Sequence, residues 1–236
     1  MSCDWGLYLV TPPALLHTPS SVSLDSENLT LSDSSNSNET VTKLGFVIPL
    51  DHKILSDQAD AEELPTHVLL IEKIGSFMTK SNITELIESE SYLRNFVVNS
   101  DDSLLLEFYD LHHSMYYRSF LSLVKYQTQN LKVKYGPPRK MGEDGKPPNN
   151  GTIILFHISS SITNAQLSSV FSEFGEIRQI RTTPKKTTQR FIEFWDIRAA
   201  EKAVSKNGTI IFGYKVLITY SVPGGQRRKA LQKSSI

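Results

Sequence analysis

The carboxyl-terminal half of the chain alternates between short apolar runs and amphipathic stretches. The segment TIILFHI, which starts at Thr152, has the length and the β-branched content of a strand. Thr163 follows as a helix N-cap, and Gln166 three residues later completes a capping box. The next apolar residues recur at helical spacing and predict one buried helix face. They are Leu167, Val170, Phe171 and Phe174.

The remaining pattern of this half predicts three further strands and a second helix. After Gly175, which ends the first helix, EIRQIRTT and QRFIEFW are typical of strands, with the polar turn PKKTT between them. Asp196 then caps a helix whose buried side carries Ala200 and Ala203, and YKVLITY predicts the last strand. The order strand–helix–strand–strand–helix–strand is the split βαβ arrangement of an α+β fold.

One side of this sheet is predicted to be open, because both helices pack on the other side. Side chains alternate along a strand, so Ile192 and Phe194 are predicted inside, and Ile154, Phe156 and Phe191 on the open side. Rings beside basic side chains suit single-stranded nucleic acid, because bases stack on rings and phosphates pair with cations. The residues predicted to contact RNA are Phe156, Arg181, Lys185, Lys186, Gln189, Arg190 and Phe191.

The charge of the chain divides along the same line. Residues 1–145 carry 11 Lys and Arg against 20 Asp and Glu, a sum of −9, and residues 146–236 carry 14 against 5, a sum of +9. The second half therefore presents a basic body for which a phosphate backbone is a natural partner. Attraction between the two halves of the chain is the alternative explanation.

Composition predicts the boundaries of the chain's parts. Residues 1–43 are rich in Ser, Thr and Asn and are predicted to be a disordered tail, because they offer little apolar surface to offset the entropy of ordering. Residues 137–150 carry two Pro-Pro pairs and two glycines and are predicted to be a linker. Residues 223–236 form a basic carboxyl-terminal extension, in which Arg227 and Arg228 are predicted to contact phosphates.

The first half repeats the pattern of the second. The segment LLLEFYDL lines up with RFIEFWDI, which places Asp110 and Asp196 86 residues apart. A repeat of this length predicts two tandem domains, at residues 66–136 and 151–222. The first domain has Leu70, Glu72 and Leu105 on the open side and has therefore lost its rings. We predict that it serves as a structural or protein-binding module.

Residues 150–221 resemble an RNA recognition motif (RRM), most clearly in the strands at 153–158 and 187–194 and in the late segment KNG…FGYKVLI. The chain departs from the motif at Ile154 and Gln189, where aromatic residues are usual, and at Thr188, where Gly is usual. The segments GEIRQIRTTPKK, RFIEFWDIRAAEKAV and VPGGQRRKALQ are similar to the second RRM of the Mei-two-like proteins, RNA-binding regulators of meiosis and development.

Together with the internal repeat and the composition, the resemblance predicts two tandem ferredoxin-like βαββαβ RRM domains, the first of them degenerate, behind a disordered tail. The resemblance itself implies an RNA-binding regulator, which we expect to bind single-stranded RNA. Because the first domain has lost its rings, we expect any protein partner to bind there. The Mei-two-like proteins usually have a third, carboxyl-terminal RRM, and the chain ends before one begins, so the chain is either a shortened relative or incomplete.

Other features narrow the functional class. Cys3 is the only cysteine, so a thiolate zinc site is excluded, and the adjacent His112 and His113 would face different directions on a helix. His157 is interpreted as a core or edge residue, and Trp195, at a strand-to-helix junction, as a packing residue. We therefore predict no enzyme, no metal and no cofactor. The alternative class is a protein-interaction scaffold that binds no RNA.

The amino terminus, MSCDWGLYLVTPP, carries an acid where a signal peptide would carry positive charge. No apolar run approaches the roughly 20 residues that span a membrane. We therefore expect the chain to act in the nucleus, the cytoplasm or both, and not to be associated with a membrane.

Overall fold

The computed structural model of the chain describes most of both predicted domains. The described residues are 40–43, 46–49, 64–72, 80–126, 129–137, 139, 141–183 and 186–222.

The first domain has the predicted strand–helix–strand–strand–helix–strand order, with two small hairpins added to it. The elements are β1 Thr40–Lys43, β2 Phe46–Pro49, β3 Val68–Glu72, α1 Lys80–Thr84, β4 Leu93–Val98, β5 Leu104–Phe108, α2 Leu111–Leu123, β6 Lys125–Tyr126, β7 Gln129–Asn130 and β8 Lys132–Tyr135. The main sheet has the order β4-β5-β3-β8, and every neighbouring pair is antiparallel. A single 3-10 turn, Glu90–Tyr92, precedes β4.

The amino-terminal hairpin was not expected from the sequence. Strands β1 and β2 pair with each other, and β2 continues onto β6 and β7 in a separate sheet. Phe46 of β2 is buried in the first core, with its ring centroid 4.9 Å from that of Tyr126. The segment predicted to be disordered therefore does not extend to residue 43, and its residues 1–39 lie outside the described residues.

The second domain repeats the sheet of the first. The elements are β9 Thr152–Phe156, α3 Asn164–Phe171, β10 Ile177–Thr183, β11 Lys186–Phe194, α4 Ile197–Val204, β12 Ile210–Ile211, β13 Tyr214–Lys215 and β14 Leu217–Tyr220. The sheet order, β10-β11-β9-β14, corresponds strand for strand to that of the first sheet. Strands β12 and β13 form a hairpin of their own, so the predicted last strand is shortened to β14.

Alternation along the strands builds one core for each domain. In the second domain Leu155, Ile192 and Phe194 are fully buried between the sheet and the helices, as the pattern predicts. The predicted capping box of α3 is present, because Gln166 N donates to Thr163 Oγ1 (3.2 Å) and Thr163 N donates to Gln166 Oε1 (2.9 Å). Helix α3 ends at Phe171, one turn earlier than predicted.

Two general features of the described residues bear on function. They include no helix long and apolar enough to cross a bilayer. Within the same residues no group of three or more His, Cys, Asp and Glu side chains is arranged to hold a metal ion.

Candidate nucleic-acid interface

The side of the second sheet that the helices leave uncovered, here called the second face, carries both predicted rings. Phe191 of β11 lies between Arg181 of β10 and Ile154 of β9, because these residues are register partners. Phe156 lies two residues further along β9, opposite Leu217 of β14. Both phenylalanine side chains are half-buried, so part of each ring remains accessible.

A cation lies next to one of these rings. The guanidinium carbon of Arg181 is 5.8 Å from the centroid of the Phe191 ring, within the range of a cation–π contact. The same guanidinium is 3.5 Å from Glu193 Oε2, and half of the side chain, 51%, is exposed. Arg181 is therefore held beside Phe191 with much of its charge facing solvent.

Glu193 anchors this arrangement from within the second face. It is only 3% exposed, and its carboxylate accepts hydrogen bonds from Arg178 Nη1 (2.7 Å) and Gln179 Nε2 (2.8 Å). A buried carboxylate needs such partners, because an unpaired charge in this position would be strongly destabilising.

Arg178 was missed by the sequence analysis because its orientation depends on a β-bulge. The register of β10 against β11 shifts between Ile177 and Gln179, so Arg178 and Gln179 both reach the single residue Glu193. Simple alternation cannot predict such an insertion. The presence of a carboxylate on an open face was the available signal that a basic partner must lie close to it.

Arg190 does not lie on the second face, contrary to prediction. It is 4% exposed, and its guanidinium donates to the carbonyl oxygens of Thr187, Gln189 (3.0 Å), Ser160 (3.3 Å) and Ile162 (3.4 Å). Its parity on β11 is that of Ile192, which directs the side chain inward. Arg190 therefore ties the loop between β9 and α3 to β11 and is not available to a phosphate.

The other predicted contact residues divide into two groups. Gln189 is half-buried on β11, and Lys186 is exposed at the start of that strand. The remaining basic residues lie outside the described residues, and their predicted contacts stay predictions. They are Lys185, Arg227 and Arg228.

Trp195 packs between the domains, as its interpretation as a packing residue requires. The strand-to-helix segments 109–112 and 195–198, here called the two junctions, lie antiparallel to each other with Asp110 bridged to Asp196. Leu111 N donates to Trp195 O (2.9 Å), and Ile197 N donates to Tyr109 O (3.0 Å), so the contact is reciprocal.

Side chains reinforce this reciprocal contact. His112 stacks on Trp195 with ring centroids 3.8 Å apart, and Arg198 lies over Tyr109 at 4.6 Å. Hydrogen bonds to Asp196 raise the pKa of Arg198 above its usual value. Leu111 and Ile197 are each 2% exposed yet belong to neither domain's core cluster, so the junctions account for their burial.

The corresponding side of the first sheet, here called the first face, differs from the second. Leu105 and Leu70 take the positions of Phe191 and Ile154, and Glu72 takes that of Phe156, as predicted. Glu72 pairs with Lys134 at 2.5 Å. The first face therefore has an ion pair at the position where the second has a ring.

The linker begins on this first face. Gly136 is buried there, and a Cβ at its position would lie 2.6 Å from Val68 Cγ1 and 3.4 Å from Leu105 Cδ2. Further along, Arg139 pairs with Glu107, and burial lowers the pKa of its guanidinium. The linker thus covers part of the surface that a nucleic acid would need.

The chain is similar in sequence to one protein-family model and to several curated proteins. Residues 153–217 match the family model of the RNA recognition motif. Protein MEI2-like 5 of Oryza sativa subsp. japonica is 33% identical over 173 residues, which are 72% of this chain and 21% of that protein. Protein MEI2-like 4 of the same organism is 30% identical over 191 residues, 80% of this chain and 19% of that protein. The predicted resemblances to the RRM and to the Mei-two-like proteins are thereby confirmed.

A third relative and two solved structures complete the comparison. Protein MEI2-like 5 of Arabidopsis thaliana is 28% identical over 189 residues, 79% of this chain and 24% of that protein, so the chain spans less than a quarter of these relatives' length. The match to the Pes4 RRM3 structure covers 31% of this chain and 94% of the chain in that structure, with 22% identity and a TM-score of 0.29. The match to an SXL-lethal protein/RNA complex covers 66% of this chain and 99% of the matched chain in that complex, with 17% identity and a TM-score of 0.28.

Proposed function

Because the chain carries an RNA recognition motif and resembles the MEI2-like proteins, we propose that it binds single-stranded RNA through the second face and catalyses no reaction. The observation that carries this proposal is the pair of partly accessible rings, Phe156 and Phe191, beside the exposed cation of Arg181. Bases stack on such rings irrespective of their identity, and cations pair with the phosphates between them.

The chemistry of the second face favours a single strand over a duplex. A base that stacks on Phe191 or Phe156 must be unpaired and turned toward the sheet, since a duplex hides the faces of its bases. With Ile154 in place of a third ring, the second face offers two stacking positions. Gln189, on strand β11, offers an amide that can hydrogen-bond to the edge of a base. We therefore infer a short binding site of modest sequence selectivity.

We further propose a post-transcriptional regulatory role in the nucleus, the cytoplasm or both. The first domain would then supply a protein-binding or structural surface, which is favoured by the linker seated on its face and by its exposed edge strand. Val97 and Val98 of that edge strand, β4, are 38% and 55% exposed. A protein-interaction scaffold without RNA binding is the second candidate function.

The test is a titration of the full chain with single-stranded RNA at two salt concentrations. Stacking of one base contributes about 1–3 kcal/mol, so Phe191→Ala and Phe156→Ala should each weaken binding by about five- to a hundredfold while the protein stays folded. Leu105→Ala, at the position in the first domain that matches Phe191, is the control and should leave affinity unchanged.

Each other outcome decides against a part of the proposal. Unchanged affinity in both phenylalanine variants would refute stacking on the second face. Equal losses in Leu105→Ala and Phe191→Ala would assign RNA binding to both domains. A scaffold would show no salt-sensitive RNA affinity in any variant.

A further inference from the structure

We propose that the first domain sets the RNA affinity of the second through a chain of contacts that runs from His112 to Phe191, with Arg178 and Glu193 as positioning residues. This inference rests on the proposed function, because it takes Phe191 to be a ring on which a base stacks. The contacts, here called the relay, join His112, Trp195, Arg178, Glu193, Arg181 and Phe191.

The relay begins at His112 of the first domain, a side chain that is 44% exposed and is held by contacts to Asp110 and Trp195. Asp110 caps helix α2 and accepts a hydrogen bond from His112 N at 2.6 Å, and His112 Nδ1 lies 3.0 Å from the same carboxylate oxygen. The imidazole is therefore fixed by its own helix cap. It stacks on Trp195 across the junctions at a centroid distance of 3.8 Å and an interplanar angle of 22°.

Arg178 carries the contact from Trp195 to the second face. Its guanidinium carbon lies 5.2 Å from the centroid of the Trp195 ring, and its Nη1 donates to Glu193 Oε1 at 2.7 Å. Only a quarter of the Arg178 side chain is exposed, so few other positions are open to it. A shift of Trp195 therefore weakens the cation–π contact that helps to hold Arg178 against Glu193.

Glu193 passes this constraint to the ring that we propose stacks on a base. Its second oxygen, Oε2, pairs with Arg181, whose guanidinium lies beside Phe191. Arg181 competes with an incoming base for the face of Phe191 and also supplies charge to a phosphate. The position that Glu193 gives to Arg181 thus determines how much of the Phe191 ring a base can use.

The reciprocal half of the junction contact does not continue to either face. Arg198 lies over Tyr109 of the first domain and bonds to Asp196, the cap of its own helix, at 3.0 Å. Tyr109 and Asp196, the two residues that Arg198 contacts, both belong to the junctions. Arg198→Ala therefore loosens the contact between the domains by a loss of similar kind to His112→Ala, without touching the relay.

These two variants make a matched pair for the experiment, which measures RNA affinity of the full chain. Coupling through packed networks of this kind is worth about two- to thirtyfold in affinity. We expect His112→Ala to weaken RNA binding by about three- to tenfold, Arg198→Ala to change it by less than about twofold, and His112→Phe to restore it, because a flat ring stacks again on Trp195. His113→Ala serves as a second control, since His113 stacks on Tyr92 of its own domain.

A double variant tests the order of the relay. In an Arg178→Met background the link from Trp195 to Glu193 is already broken, so His112→Ala should cost no further affinity. The chain has two tryptophans. In a Trp5→Phe background the emission of Trp195 should therefore change when RNA binds, and Arg178→Met should abolish that change while Arg198→Ala preserves it.

The failures are distinguishable. Equal losses in His112→Ala and Arg198→Ala would overturn the relay and leave only domain docking, and so would an unchanged affinity in His112→Ala while Phe191→Ala still weakens binding. If Phe191→Ala itself leaves affinity unchanged, stacking on the second face is refuted and the relay is refuted with it.

Discussion

The first and second faces are built on sheets of the same strand order, but they carry different side chains at matching positions. Where the second face has Phe191 beside Arg181, the first has Leu105 beside Val97. Beneath both lies the same device: a β-bulge on the edge strand turns an arginine toward a carboxylate on the central strand, Arg178 toward Glu193 and Arg94 toward Glu107 (4.0 Å). The two domains therefore share this supporting contact beneath faces that carry different side chains.

The segments that follow the last strands of the two domains, β8 and β14, begin in the same way, but the first of them packs onto the face of its own domain. Gly136 N donates to Val68 O (2.7 Å), and Ser221 N donates to Thr152 O (2.8 Å), so the two positions are equivalent in the backbone. In the first domain the glycine lets the linker pack onto the face, and Arg139 adds a cation to Glu107. If bases stack on the rings of the second face, as we propose, a face without rings loses no stacking position when its own chain covers it.

The largest difference inside the two domains is at one position of the central strand. Arg190 is buried in the second domain where Leu104 is buried in the first. Removal of the guanidinium removes its hydrogen bonds to four carbonyl oxygens, two in the β9–α3 loop and two on β11, and hydrogen bonds from charged groups contribute about 1.5–3 kcal/mol each. Arg190→Ala should therefore lower the free energy of unfolding by about 3 kcal/mol, measured by urea denaturation of the full chain.

The control for this substitution is Lys186→Ala, on an exposed position of the same strand, which should cost less than about 0.5 kcal/mol. If Arg190→Ala unfolds like the wild type but binds RNA more weakly, Arg190 contacts phosphate after all and its placement inside the domain is wrong.

The rings and their sheet could be predicted from the sequence, whereas their supporting residues could not. Alternation along QRFIEFW is a local property, and it predicts that Phe191 and Ile192 lie on opposite sides of the sheet whichever strands lie beside them. The capping box at Thr163 and Gln166 is equally local. Tyr109-Asp110 in the first half and Trp195-Asp196 in the second are 86 residues apart, and this interval predicts where the first domain lies.

The residues that escaped prediction depend on distant parts of the chain. Arg178 owes its orientation to a bulge, and Arg190 to carbonyl oxygens of a loop that precedes it by about 30 residues. Strand β2 pairs with β6, about 80 residues away, and β1 pairs with β2, which no periodicity in their own sequence could indicate. The contact of His112 with Trp195 follows only when the domains are docked.

The basic extension tests whether the second face remains open while the first is covered. A chain truncated after Gly225 loses four cations, and for single strands log K falls with log salt by about 0.7 per phosphate contact. If these cations meet phosphates, the slope should flatten by at most ~3 units while base preference hardly changes. The cations removed are Arg227, Arg228, Lys229 and Lys233.

Binding at several salt concentrations distinguishes the outcomes for the full and truncated chains. An unchanged slope would make the extension a solvated end. Tighter binding after truncation would mean that the extension covers the second face as the linker covers the first, and the two domains would then differ less than their described residues indicate.

The glycine at the start of the linker is a smaller, structural test of the same comparison. A methyl group at Gly136 would lie 2.6 Å from Val68 Cγ1, and Val has a stiff side chain that cannot easily turn away. Gly136→Ala should therefore destabilise the first domain by about 1–3 kcal/mol, the usual cost of overpacking. Ser221→Ala, at the equivalent position of the second domain, should cost less than 1 kcal/mol by the same denaturation measurement.

The smallest expected effect comes from grafting the rings of the second face onto the first. Glu72→Phe with Leu105→Phe restores a ring at each of the two matching positions. We make this graft in a chain whose own face is disabled by Phe156→Ala and Phe191→Ala, so that any RNA binding recovered must come from the first domain. A titration with single-stranded RNA at low salt is the measurement.

We expect the graft to raise affinity by less than about twofold. Rings contribute through stacking only where a base can reach them. In the first domain Gly136 lies against Leu105, and Arg139 pairs with Glu107 two residues along the same strand. The acidic charge of the first half also repels phosphates, an effect that salt reduces but does not reverse. A gain above about fivefold would show that the missing rings alone separate the two faces. If the gain appears only when Arg139→Ala is added, the linker is what closes the first face.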